Sequence, residues 1–304
     1  MNWPLRILIF AAAAFCVSSC GTNPIAVVSN ENVQTANSES VMAVLTDELD
    51  DLGSVVLNNF NDSGLPSGGR AEVFKDNRLT CPGTNIVFSN VSADHTSGQL
   101  TITFPEGGCV DGLKQNKRKG SIVITWFGGK WYQAGSTHVI SFNNYSMNDI
   151  VFSGTRTLKC TTFTFATPKI FNVTWDISGD HTLTWPDGTS ASFKVNKTRV
   201  WVHSVDNERF RHTTGPNGDY ILSGINRHGK EFTVTLATTL IYFRSCSDAS
   251  KSFVPANGIK HLTDIKKNKV LTIDYGASDC DDLYTLTVDG VKTVLHAKND
   301  SSDD

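Results

Sequence analysis

The residues of this chain best equipped for covalent chemistry are its cysteines, seven in all. Four of them fall into two matching settings. Leu100-Thr101-Ile102-Thr103-Phe104 leads through Gly107-Gly108 to Cys109 and then Asp111. Leu271-Thr272-Ile273-Asp274-Tyr275 leads through Gly276 to Cys280 and then Asp281. Each setting is an alternating strand, a glycine-bearing turn, a cysteine and an acid. Each has one cysteine upstream, Cys81 or Cys246, with a further strand pattern between. The echo therefore pairs Cys81 with Cys109 and Cys246 with Cys280. It leaves Cys160, in a strand-like run over 155–165, as a free thiol acting as a small apolar side chain. Two echoes are too few for a solenoid, so they read as related end units of one β domain.

The other reactive side chains form no constellation in the sequence. The eight histidines sit at no ligand spacing, and no cysteine pair has Cys-x-x-Cys form, so neither a metal nor a cofactor is expected. Asp279-Cys280-Asp281-Asp282 is the densest acidic group of the body, but it lacks the spaced carboxylates of a calcium loop. No G-x-S-x-G elbow and no phosphate loop before a helix occurs, and a non-enzymatic protein is expected. Trp131 and Tyr132, next to Gly128-Gly129, are the candidates for an exposed aromatic platform able to stack on a glycan or another ligand. Trp126 and Trp175 alternate with polar residues in step with apolar neighbours and read as core.

Cys20 stands in a different setting. Arg6 is followed by an apolar run from Ile7 to Val17, then Ser18-Ser19-Cys20. That is the grammar of a secretory signal, too short to remain as a membrane span. Val17-Ser18-Ser19-Cys20 resembles the lipobox of bacterial lipoprotein precursors. The resemblance implies cleavage after residue 19 and acylation of Cys20, for example by palmitate, as the membrane anchor. The compartment so implied permits disulfides. Gly21 gives no cue for inner-membrane retention, so the outer membrane is expected. No acidic cluster follows Cys20, which points to the periplasm-facing side. Formal net charge is −3, and loss of Arg6 with the signal makes it −3 − 1 = −4. Such a chain does not attract polyanions overall, and nucleic acid is not an expected partner.

These groups must be positioned by the following elements. Residues 1–19 are the expected signal, and 20–40 the lipidated cysteine with a polar, flexible tether. Over 41–60, Val41, Leu45, Leu49, Leu52, Val56 and Phe60 make one apolar helical stripe, with Asp47, Glu48, Asp50 and Asp51 off it. A loop over 61–78 follows. Over 79–297 apolar and hydroxyl-bearing residues alternate, as in Phe171, Val173, Trp175 and Ile177. Turn signals such as Pro186-Asp187-Gly188 and Asp289-Gly290 interrupt them. The expected fold is all-β: a dozen or more short antiparallel strands, as a meander, sandwich or partly closed barrel, with one N-terminal helix. The basic run Lys114–Lys119 reads as a soluble hairpin tip or a contact to lipid headgroups, and 298–304 as a frayed acidic tail.

From about Cys81 to His296 the chain is similar to a group of uncharacterised lipoproteins of Bacteroidota-type bacteria. The matching pieces include Phe104-Pro105-Glu106-Gly107-Gly108-Cys109, Gln133-Ala134-Gly135-Ser136, Ser153-Gly154-Thr155-Arg156-Thr157 and Thr184-Trp185-Pro186-Asp187-Gly188-Thr189. Cys160 is an addition to that pattern. The group brings no activity with it. The expectation is thus a lipid-anchored β scaffold for interaction or envelope structure, with an envelope protein as partner. Its alternative is a glycan- or ligand-binding lipoprotein working through Trp131 and Tyr132.

Overall fold

The computed structural model describes residues 27–63, 77–111, 116–168, 170–204, 207–243, 246, 253–277 and 280–297. The expected signal, Cys20 and the 298–304 tail lie outside them. One helix, α1 (Asn30–Ser63), precedes a short 3₁₀ turn at Asn77–Leu79. Fifteen strands follow among the described residues, all in one sheet. They are β1 (Asn85–Ser89), β2 (Gly98–Val110), β3 (Lys117–Phe127), β4 (Thr137–Met147), β5 (Ile150–Thr167) and β6 (Ile170–Thr184). Next come β7 (Ser190–Ser204), β8 (Asn207–Pro216), β9 (Leu222–Ile225), β10 (Glu231–Leu236) and β11 (Leu240–Phe243). The last are β12 (Asn257–Asp264), β13 (Lys269–Ala277), β14 (Leu283–Val288) and β15 (Val291–His296).

The architecture is the all-β one that the alternation predicts. Neighbours in sequence pair antiparallel from β1 to β8, and again from β11 to β15. Between β7 and β12 the sheet forks: β8 and β11 bridge the gap along one part, and β9 and β10 along the other. Period-two alternation places Leu100, Ile102 and Phe104 of β2 inside, and Val173, Trp175 and Ile177 of β6 likewise. The outer face keeps hydroxyls, as in Thr101 and Thr103 of β2.

Glycine bends the sheet at two crowded crossings. Gly154, at φ 108°, would drive a Cβ to 2.1 Å from the Asp180 carbonyl oxygen, and Gly120, at φ 80°, to 2.1 Å from that of Asn144. No L side chain fits either place, so these are points where strands coil.

α1 is what the sheet coils around. Ser29 caps it, its carbonyl accepting from the Val33 amide at 3.1 Å, and Glu31 stands in the first turn where the helix dipole favours an acid. Four members of the expected stripe, Val41, Leu45, Leu49 and Leu52, are at most 3 % exposed, and the side chains of Val56 and Phe60 lie outside the described ones. One expectation is corrected. The helix begins at Asn30, so residues 30–40 are not a tether. Ala36, Asn37, Ser38, Glu39 and Ser40 are buried. The acidic face does not meet water either, since Asp47, Glu48, Asp50 and Asp51 are at most 3 % exposed. At about 100° per residue these carboxylates occupy roughly half of the helix circumference, and the apolar stripe takes the rest. From Thr35 to Gly53 the helix is thus enclosed on every side, while Asn30, Glu31 and Gln34 of its first turns stay exposed.

The disulfides join Cys81 to Cys109 and Cys246 to Cys280, with Cα separations of 5.8 and 4.9 Å, and Cys160 is a buried free thiol. These are the pairs the echo points to. One ties the approach to β1 onto β2; the other ties the stretch after β11 onto the end of β13, near the opposite end of the strand order. They close loops of 28 and 34 residues. In the chain-entropy account each contributes roughly 3–4 kcal/mol.

Candidate functional site

An acidic helix can be buried only if the sheet supplies cations, and it does. β3 presents Arg118, β5 Arg156, β7 Lys197 and Arg199, and β12 Lys260, all at most 5 % exposed. Each stands at an inward position of its strand, between residues that face out.

Asp50 is the hub. Both of its oxygens accept from Arg156, with Nη2 to Oδ2 at 2.6 Å, and Arg199 Nη1 donates to Oδ2 at 3.2 Å. One turn earlier, Asp47 takes Arg199 Nη2 at 2.8 Å, the Lys197 ammonium, and the Tyr242 hydroxyl at 2.7 Å. On another face Glu48 pairs with Arg118, which also donates to Asp111 at 3.1 Å and to the Tyr145 hydroxyl at 2.9 Å. Arg78 reaches Asp51 at 2.8 Å, and Lys260 reaches Glu39 at 2.7 Å. Of the loop expected over 61–78, residues 61–63 belong to α1 instead, 64–76 lie outside the described residues, and Arg78 in the 3₁₀ turn is a buried anchor. The basic tip expected over Lys114–Lys119 is corrected as well: Arg118 is inside, bound to the helix, and only Lys117 makes an exposed pair, with Asp149. Residues 112–115 lie outside the described ones.

The chemistry open to this cluster follows from its electrostatics. Burial alone would push the Asp47 carboxyl up, but Arg199 and Lys197 outweigh it and hold that carboxyl far below the usual range. Burial opposes charge at Arg118 and Arg199 too, yet Glu48 and Asp47 respectively lift these guanidiniums above their ordinary value. These three groups, so fixed in charge, clamp and do not exchange protons near neutrality; Lys197 differs, since burial and then Arg199 push its ammonium down to about 8. A cavity of about 30 Å³ beside Glu39, Asp47, Lys197, Tyr242 and Lys260 has room for one water.

Two histidines line the same interior. His138 lies 4.6 Å from the Trp175 ring at a tilt of 47°, and burial pushes its pKa down to about 3. His181 lies 3.4 Å from Arg156 Nη1, and burial, then Arg156, push it down to about 3. Both are neutral inside the fold.

The expected aromatic platform does not form. Trp131 is 2 % exposed, because the β3–β4 loop folds inward and sets it against the core. Tyr132 is half-buried, 5.7 Å from Trp131 and 5.4 Å from Phe163. A hollow of about 580 Å³ lies elsewhere, over β5, β6, β7 and β9, lined by Ser153, Asp180, Thr182, Ser192 and Lys194 among others. Neither Trp131 nor Tyr132 reaches it. Of the acidic run at 279–282, Asp279 lies outside the described residues. Asp281 accepts the Leu283 amide at 3.1 Å, and Asp282 stands 3.2 Å from His296 Nδ1. Among the described residues no group of three or more His, Cys, Asp or Glu is placed to hold a metal ion, and no helix is long and apolar enough to cross a membrane.

Sequence reasoning missed the charge cluster. Its one signal was parity: Ala191, Phe193 and Val195 share their side of β7 with Lys197 and Arg199, and Phe152 and Leu158 share theirs with Arg156. A charge in step with an apolar face is a request for a buried partner. No protein-family model matches the chain, and neither a curated protein nor a solved structure matches it.

Proposed function

We propose that this chain is a lipid-anchored lipoprotein of the bacterial outer membrane, of the uncharacterised Bacteroidota-type group it resembles. Its β body is a non-enzymatic scaffold for interaction or envelope structure, held on the periplasmic side. The observation that carries the reading is the spacing of anchor and fold. Cys20, preceded by small residues and an apolar run, stands ten positions (30 − 20) before the first residue of a helix locked inside the sheet. Ten residues span at most about 35 Å, so an acyl anchor at Cys20 keeps the β body close to the bilayer. Two or three acyl chains at one cysteine suffice for stable attachment without any spanning helix.

The test is Cys20→Ala in the full chain, followed by detergent partitioning and metabolic labelling with a palmitate analogue. The variant is expected to lose label and leave the detergent phase, while the wild type carries both. A variant that still partitions into detergent with label and at mature size would refute the anchor.

A further inference from the structure

β5 outruns its neighbour. β4 pairs with it only as far as Thr137 opposite Lys159, whereas β5 continues to Thr167. The loop after β3 reaches Cys160, whose amide and carbonyl bond to Ser136 and Gly135. Beyond it, β6 pairs with one side of Thr162–Phe165 and, past an irregularity at Ala166, with Thr167, and among the described residues no strand pairs with the other side. An open sheet edge is a template for one more strand, and edges are ordinarily protected by charge, proline or brevity. This one is short but carries neither charge nor proline. It reads Thr162-Phe163-Thr164-Phe165-Ala166, uncharged and strongly β-prone. Its outermost ring is open as well: Phe165 is 65 % exposed, beside the half-buried Phe163 at 5.2 Å and Phe171 at 6.2 Å. The two outer edges of the sheet differ. β1 turns its ring inward, Phe88 lying 6.3 Å from Trp126, and β15 carries Lys292 and His296.

We propose that Thr162–Ala166 is a self-association edge, occupied by the same edge of a second copy of this chain. The argument for that occupant is the order of the residues. About Thr164 the stretch is nearly palindromic, with Phe163 and Phe165 at one step and Thr162 and Ala166 at two. A two-fold interface must be self-complementary. Antiparallel addition about an axis through Thr164 sets Phe163 opposite Phe165 of the partner subunit and Thr162 opposite Ala166 of the partner subunit. Aromatic pairs across strands are favourable, and no charge in the stretch meets its like. The added ladder satisfies the open backbone groups and covers the exposed Phe165 ring, which is the general mode of strand addition. The inference is independent of the anchor at Cys20, and its failure would leave that reading untouched.

The test is a single-cysteine probe on the proposed axis. Thr164 is exposed and would face itself across the interface, within the Cα range a disulfide needs. Thr164→Cys in the full chain, oxidised mildly and run without reductant, is expected to give a covalent dimer at a yield several-fold above that of Ser190→Cys, an exposed position at the start of β7. Adding Phe165→Lys to Thr164→Cys should reduce that dimer to the control level, with an unchanged melting temperature showing that the fold survives. Equal yields from the two cysteine positions, or a dimer indifferent to Phe165→Lys, would overturn the proposal.

Discussion

Asp50→Ala is expected to cost about 3–5 kcal/mol of stability, a large share of the roughly 5–15 kcal/mol typical of a folded domain. The reason is what the substitution leaves behind more than what it removes. Asp50 is fully buried and is the shared acceptor of Arg156 and Arg199. Without it, among the described residues Arg156 keeps a 3.4 Å approach to His181 on the side that faced the helix, and Arg199 keeps Asp47 as its carboxylate partner. A guanidinium cannot shed its proton to escape, so the uncompensated charge stays in the core. Asp180→Ala is the natural comparison. Its pair with Lys194 is long, 3.7 Å, and about three-quarters exposed on both sides. It should change stability by no more than about 0.5 kcal/mol. Urea denaturation of the two variants beside the wild type measures both numbers. Equal midpoints for Asp50→Ala and Asp180→Ala would mean that the buried ion pairs do not hold the helix.

The second large effect is acid lability with an onset near pH 6. His138 and His181 are held neutral in the fold, pushed down to about 3 from 6.5. Below 6.5 the unfolded chain takes up two protons that the folded chain refuses. The stability these histidines allow is therefore full above 6.5 and lost as pH falls from there toward about 3. Each contributes a slope of about 1.4 kcal/mol per pH unit, so at pH 5 each has cost about 2 kcal/mol. The Asp47 carboxylate, whose pKa is depressed, adds its own loss only as pH falls below its unfolded value of 3.8, so the window from 7 to 5 isolates the imidazoles. His138→Phe keeps a ring against Trp175 and removes one titration. Urea midpoints at pH 7 and pH 5 should show the loss roughly halved in that variant. An undiminished loss would place the acid sensitivity elsewhere.

Much of this architecture was legible locally. Strand parity follows from a period of two, and it put Trp126, Trp175 and their neighbours inside. The cysteine pairs followed because each strand-turn-cysteine echo carries its own upstream partner. The start of the helix was not legible. Asn37, Ser38, Glu39 and Ser40 have the composition of a solvated tether, and their burial is made tolerable only by residues far along the chain. Glu39 meets Lys260, and the Tyr284 hydroxyl lies 3.3 Å from Asn37 Oδ1. Those partners are separated by 221 and 247 positions, and no local rule reports them. Trp131 was misplaced for a related reason. Two glycines beside it mark a turn, but a turn fixes only the direction of the chain. Whether the ring then faces water or the core depends on what the sheet leaves open beneath it.

The central claim is that α1 is the interior element around which the sheet is built. Amide hydrogen exchange along residues 36–53, in the intact protein at neutral pH, tests it most directly. Enclosed on all sides, these amides should exchange as slowly as those of the inner strands β5, β6 and β7, opening only when the whole domain opens. Rapid exchange over residues 36–40, with those strands still protected, would contradict the account and return that segment to the solvent as a tether.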